Sequence, residues 1–196
     1  MERAVLLSGI GGQGVQLAAQ VLAEAAVLEG RDAQLFGSYG GMMRGGNTDA
    51  TVVLADDRVT SPPTVDDAWA ALVLHHDYAG PVLARLAEHG LVLLNRSVWE
   101  GAIDRQRFAV VDLDATELAT GVGSPLAAAM AMLGALASLT ALVTLPSLQA
   151  AARAAVPRYR TRHLQANAMA LDAGAAAVGP GPAPAWPEAA ATAARL

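Results

Sequence analysis

A short apolar run, Ala4 to Ser8, opens into Gly9-Ile10-Gly11-Gly12-Gln13-Gly14, and apolar residues at helical spacing come next: Val15, Ala18, Ala19, Leu22, Ala25 and Ala26. This is the G-x-G-x-x-G arrangement in the strand, turn, helix context that the pattern requires. Small residues let the backbone turn tightly and approach an anion, and the N–H groups and dipole at the helix start favour negative charge. The natural ligand of such a turn is a phosphate group. The same glycines also permit close packing of strand on helix with no ligand at all, so the turn alone leaves both readings open.

The rest of the chain repeats the alternation. Gly30 closes the first helix, and Ala33 to Phe36 reads as a second strand, completing a βαβ unit with a parallel sheet. After a glycine-rich loop over Gly37 to Asn47, Ala50 to Leu54 and Arg58 to Thr60 read as a hairpin around Ala55-Asp56-Asp57, which Pro62-Pro63 ends. Ala70 to Leu74, Leu91 to Leu94 and Phe108 to Leu113 are further strands, with a helix expected at Pro81 to Glu88. Helices are then expected over Ala115 to Ala119, Ser124 to Val143 (Ser124 as N-cap, Pro125 in the first turn), Leu148 to Ala155 and Arg162 to Ala177. The expected fold is α/β: a Rossmann-like, doubly wound, mostly parallel sheet with a β-hairpin insertion and C-terminal helices, over residues 1–178. Residues 179–196, rich in Ala and Pro with a lone Trp186, are expected to be a disordered tail.

A dinucleotide reading of the first turn needs an acidic residue at the end of the second strand to hold a ribose hydroxyl. Phe36-Gly37-Ser38-Tyr39 occupies that place, and Glu29 and Asp32 come before the strand, so NAD is disfavoured. The segment leaving this strand is instead Ser38-Tyr39-Gly40-Gly41-Met42-Met43-Arg44-Gly45-Gly46-Asn47, at the carboxyl edge of the sheet, where α/β ligands bind. Arg44 is suited to bidentate pairing with phosphate or carboxylate; its plainer alternative is a surface ion pair.

Together, Gly-Ile-Gly-Gly-Gln-Gly-Val after a strand and Ser-Tyr-Gly-Gly-Met-Met-Arg-Gly-Gly-Asn resemble the gamma subunit or gamma domain of the pyruvate and 2-oxoacid:ferredoxin oxidoreductases, a group that includes indolepyruvate oxidoreductase. The resemblance continues through Val59 to Pro62, Met132 to Leu136 and Asn167 to Gly174, and spans about residues 3 to 175. It implies a complex that decarboxylates a 2-oxoacid oxidatively, passes electrons through iron–sulfur clusters to ferredoxin and hands the acyl group to coenzyme A. It also implies that thiamine diphosphate and the clusters sit on partner subunits, of alpha, beta and iron–sulfur type, and that this chain is inactive alone. Gly9, Gly11, Gly12, Gln13, Gly14, Ser38, Tyr39, Arg44, Gly45 and Gly46 are then the candidate cofactor-binding residues, contacting coenzyme A, with no catalytic residue and no metal ligand assigned to this chain.

Composition limits the rest. The 196 residues hold no cysteine, so thiolate ligands for a cluster must come from another chain. A net charge of −5 without a Lys/Arg cluster argues against nucleic acid. With 54% hydrophobic and 16% charged residues, apolar surface remains for a partner subunit, and a hetero-oligomer is expected. The start of the chain lacks a secretory apolar region, so a cytoplasmic location is expected. Leu126 to Leu145 is uncharged and long enough to span a bilayer, but it is alanine-rich and lacks flanking Lys or Arg, so a helix buried in a core or interface is preferred.

Other groups carry weaker signals. His75 and His76, adjacent on a strand end, should point to opposite faces, which disfavours joint metal ligation. Asp112 and Asp114 share a strand face but read better as caps or loop formers than as paired carboxylates. Ser8 lacks a nucleophile elbow. Arg158, Arg160 and Arg162 suit a solvated connection better than an acidic partner. The alternative functions are a stand-alone Rossmann-like nucleotide-binding module and a purely structural partner subunit.

Overall fold

Alternation along the first strand sorts its side chains cleanly: Val5 and Leu7 enter one core, Leu6 the other. The same sorting holds at Leu72 against Ala71 and Val73, and at Leu93 against Val92 and Leu94, so a single sheet divides two apolar layers. The computed structural model describes residues 1–39, 45–62, 64–155, 161–181 and 184–186, with the backbone only at 38, 39, 161 and 162. The strands are β1 (Glu2–Ile10), β2 (Asp32–Tyr39), β3 (Asn47–Ala55), β4 (Ala68–Val73), β5 (Leu86–Asn95) and β6 (Ala109–Leu113). The helices are α1 (Val15–Leu28), α2 (Ala79–Leu83), α3 (Ala115–Gly121), α4 (Ala128–Thr140), α5 (Leu145–Ala155) and α6 (Thr161–Val178).

The sheet order is β2-β3-β1-β4-β5-β6. β1, β4, β5 and β6 are parallel, while β3 runs antiparallel between β1 and β2, with Glu2 opposite Ala55 and Ile10 opposite Asn47. The mostly parallel α/β sheet and C-terminal helices agree with the sequence reading, but the hairpin lies elsewhere. It joins β2 to β3 around residues 40–46, and Arg58 to Thr60 adds no strand. Side chains hold that segment in place of a ladder: Asp32 accepts the Val59 N–H at 2.9 Å and Glu2 accepts from Thr60 N at 2.6 Å and Thr60 Oγ1 at 2.7 Å. The opening βαβ unit is also interrupted, since β3 separates its two expected parallel strands. The helix expected at Pro81 to Glu88 shrinks to α2, because Leu86 to Gly90 extends β5.

The two layers are unequal. α1, α3, α4, α5 and α6 contribute to one core, whereas the opposite face is covered by α2 together with Phe108, Trp99 and Ile103. The uncharged run of Leu126 to Leu145 does not form one helix. Pro125 to Ala127 is a 3-10 turn, α4 ends at Ala141 with φ +50°, and Pro146 lies in the first turn of α5, where its missing N–H costs nothing. Thr144 precedes α5 and accepts the Ser147 N–H, as an N-cap does. Among the described residues no helix is long and apolar enough to cross a membrane.

α4 is buried on every side, and Met130, Met132, Leu133 and Leu136 each contribute about 1.5–3 kcal/mol by leaving water. Its packing on α6 depends on two glycines. A Cβ at Gly134 would stand 1.9 Å from the Leu171 carbonyl oxygen, and one at Gly174 would stand 1.8 Å from that of Ala131. Of the expected tail, Ala185 and Trp186 are buried: Ala185 bonds to Thr140 O and accepts from Arg3 Nε, while Trp186 Nε1 donates to Leu142 O under the Arg31 guanidinium, 4.2 Å from the ring centre.

Gly134→Ala and Gly174→Ala should each force the two helices apart and destabilise the protein by about 1–3 kcal/mol or more, read as a fall in the urea midpoint. Glu2 has its carboxyl lowered from 4.5 to about 2 by hydrogen bonds from Ser61 and Thr60. A depressed folded-state pKa gives stability that is present above 4.5 and is lost as pH falls toward about 2, so Glu2→Gln should flatten the acid limb of the stability curve in that window.

Candidate functional site

Parallel strands bring the ends of β1, β4, β5 and β6 to one edge, and the β2–β3 connection returns to the same edge, because Tyr39 pairs with Thr48 and Ile10 with Asn47. The glycine turn sits there. Gly12 and Gly14 have φ of +107° and +80°, left-handed values that L side chains rarely adopt. Gly9 is required for space: a Cβ there would lie 2.6 Å from Gln13 Oε1 and 3.1 Å from both Leu74 Cβ and Val15 Cγ2.

Gln13 folds its side chain beneath the turn. Its Oε1 accepts the Ile10 N–H at 2.9 Å, and its Nε2 donates to Leu74 O at 3.4 Å. Gly11 N–H donates to Gly46 O at 2.8 Å, which joins the glycine turn to the returning loop, and the Gln13 N–H donates to Ile10 O. Three of the turn's peptide donors are therefore committed within the protein. Among the described residues, a Cβ at Gly12 or Gly45 would meet nothing within 4 Å, whereas Gly14 is backed by Leu126 O at 3.4 Å.

Of the residues singled out in the sequence, Gly9, Gly11, Gly12, Gln13 and Gly14 are thus brought together with Gly45 and Gly46. Ser38 and Tyr39 end β2 at the same edge, and Arg44 lies outside the described residues. The dinucleotide geometry is absent for a topological reason: β3 occupies the place beside β1, so the end of β2 stands two strands away, about 10 Å. Asp32, the one acidic residue of β2, is its first residue and lies at the opposite end.

Two residues without a sequence signal complete the edge. Asn95, buried at the end of β5, donates from Nδ2 to Leu74 O and Thr116 Oγ1 and accepts the Thr116 N–H, tying β4 to the start of α3. Tyr78 donates its hydroxyl to Gly45 O at 3.4 Å, and its carbonyl accepts from Ser8 Oγ. Ser8 is fully buried in that bond and offers no nucleophile. Asp112 and Asp114 are not a paired carboxylate: Asp112 takes Arg105, and Asp114 takes Arg96 with Nε to Oδ1 at 2.8 Å. The Arg96 guanidinium holds the Asp114 carboxyl below its usual range and has its own pKa raised in return. His75 and His76 depart from the expected opposed orientation. β4 ends at Val73, His76 enters a 3-10 turn, and the two rings stack with centres 4.4 Å apart.

Residues 4–177 match the family model described as pyruvate ferredoxin/flavodoxin oxidoreductase. The chain is 30% identical to the 2-oxoglutarate synthase subunit KorC of Methanocaldococcus jannaschii over 165 residues, covering 81% of this chain and 86% of that protein. It is 31% identical to the ketoisovalerate oxidoreductase subunit VorA of Methanothermobacter marburgensis over 135 residues, 69% of this chain but only 28% of the longer VorA. The keto/oxoacid ferredoxin oxidoreductase gamma subunit of Geobacter sulfurreducens superposes with a TM-score of 0.74 at 26% identity, over 91% of this chain and 99% of that one. The fold also recurs, with a TM-score of 0.80 at 16% identity, over 93% of this chain and 32% of the Magnetococcus marinus 2-oxoglutarate:ferredoxin oxidoreductase, solved with 2-oxoglutarate, coenzyme A and succinyl-CoA bound.

Gln13→Ala removes the acceptor of the Ile10 amide, and a loss of about 1–3 kcal/mol is expected in chemical denaturation. An unchanged midpoint would show that the turn holds its shape without this side chain.

Proposed function

This chain belongs to the pyruvate ferredoxin/flavodoxin oxidoreductase family, and from that premise we propose that it works as the gamma-type subunit of a cytoplasmic 2-oxoacid:ferredoxin oxidoreductase. The observation that carries the reading is the near end-to-end match with free-standing subunits: 86% of KorC and 99% of the Geobacter gamma subunit. In such a complex, thiamine diphosphate on partner chains supplies the carbanion chemistry of decarboxylation. With no cysteine this chain holds no iron–sulfur cluster, so its contribution is to position and to bind.

The bound group we assign to this chain is coenzyme A, at the carboxyl edge. Among the described residues nothing crowds Gly12 or Gly45, which suits a bulky anion there, and the start of α1 lies directly behind the turn. Because the Ile10 and Gly11 amides are already occupied, phosphate recognition rests on the α1 terminus and on Arg44, whose guanidinium pairs well with phosphate oxygens. The same occupied amides, with β3 beside β1, weigh against a stand-alone nucleotide module.

The test is capture of the tagged chain from its native cells, followed by coenzyme-A-dependent reduction of a viologen dye by a panel of 2-oxoacids. Copurified partner subunits with activity are expected; an inactive chain captured alone would overturn the assignment. In the captured enzyme, Arg44→Ala should raise the KM for coenzyme A by about 10–100-fold, the loss of a charge-assisted contact, and Arg44→Lys by less. An unaltered KM would remove Arg44 from the site and leave the subunit assignment standing.

A further inference from the structure

We propose that His75, His76 and Asp77 form a binding site for one divalent first-row transition-metal ion, Zn2+ foremost, at the carboxyl end of β4. One ligand atom from each residue falls within a span of 4.8 Å. His76 Nε2 lies 3.2 Å from Asp77 Oδ1, and His75 Nδ1 lies 3.5 Å from Asp77 Oδ2. An ion with tetrahedral bonds of about 2.0–2.1 Å places its ligand atoms about 3.3–3.4 Å apart, close to the two His–Asp77 separations, so closing on one requires chiefly that the two imidazoles draw together.

The hydrogen bonds fix which nitrogens carry lone pairs. His76 Nδ1 lies 2.9 Å from the Val98 carbonyl, which only accepts, so Nδ1 carries the proton and Nε2 is turned toward Asp77. His75 Nδ1 accepts the Asp77 N–H at 3.3 Å, a long bond that an ion taking the same lone pair would replace. His76 Nε2 and the Asp77 carboxylate thus face each other, with His75 Nδ1 beside them, and a cation seated there would satisfy all three. The Val98 bond is also the outer-shell partner that a metal-bound imidazole characteristically has. The Trp99 ring stands edge-on to His76 at 6.5 Å, and the preceding residue, Leu74, is pinned by Ser8, Gln13 and Asn95, so the ligands rise from a held strand end.

The two imidazoles are 19% and 25% exposed and Asp77 58%, so an ion held there keeps a coordination position open to water or to an anionic group. Aromatic nitrogen with one carboxylate selects Zn2+ and its neighbours over Ca2+ or Mg2+, which prefer all-oxygen shells. This site makes no use of the subunit assignment and stands or falls apart from it.

The full chain, stripped with chelator, would be titrated with Zn2+ by calorimetry and with Co2+ by visible absorption at neutral pH. We expect one ion per chain with a Kd of about 1 μM or tighter. His75→Ala, His76→Ala and Asp77→Asn should each weaken binding at least about tenfold, while His89→Ala, at the opposite edge, should bind as the parent does. In the unsubstituted protein, the His76 ring nitrogen signals should shift on adding Zn2+ in the pattern of Nε2 ligation, a readout that survives if a variant fails to fold. No stoichiometric binding, unmoved His76 signals, or His75→Ala and His76→Ala binding like the parent would overturn the proposal; a merely protonated His76 paired with Asp77 gives the first two results.

Discussion

The antiparallel insertion of β3 between β1 and β2 is the constraint on which the rest of the molecule depends. Nine residue pairs bind β3 to β1, from Glu2 with Ala55 to Ile10 with Asn47. That register brings Gly46, just before β3, against the glycine turn, where the Gly11 amide reaches the Gly46 carbonyl. It also removes the second strand from the position at which a dinucleotide-binding sheet carries its ribose-binding acid. One strand reversal therefore trades a nucleotide cleft for a two-loop edge while leaving the turn sequence itself unchanged.

The strength of local signals decides what is legible in the sequence. β1, the glycine turn and α1 can be read because period-2 burial, glycine clustering and helical spacing coincide there. The parallel strands Ala70 to Leu74 and Leu91 to Leu94 are visible as apolar runs. The partner of β2 is not, since Ala50 to Leu54 reads equally well against either neighbour, and only long-range pairing selects it. The shortened α2 shows the same limit: the segment up to Glu88 reads as helix in isolation, yet Leu86 pairs with Ala68 of the parallel strand beside it and opens β5.

At the edge itself, the glycines announce themselves and their supports do not. Gln13 stands out only as part of a pattern, and its role as an internal prop depends on Leu74, sixty-one positions away. Asn95 ends an ordinary leucine run, and nothing nearby marks it as the post that ties β4 to α3. Strand geometry, which sets the expected directions of His75 and His76, stops at Val73, just before them. In each case the missing information is three-dimensional adjacency, which periodicity does not encode.

The clasp between the two ends of the described chain has a further consequence. Arg3, in β1, bonds to Ala185 and lies over Trp69, and Trp186 is sunk beside Leu142, so both ends of the fold meet at the amino edge of the sheet. The glycine turn, Asn95 and the histidines occupy the other edge. The edge that carries the glycine turn thus stands apart from the clasp, in a unit that matches 86% of KorC and 28% of the longer VorA.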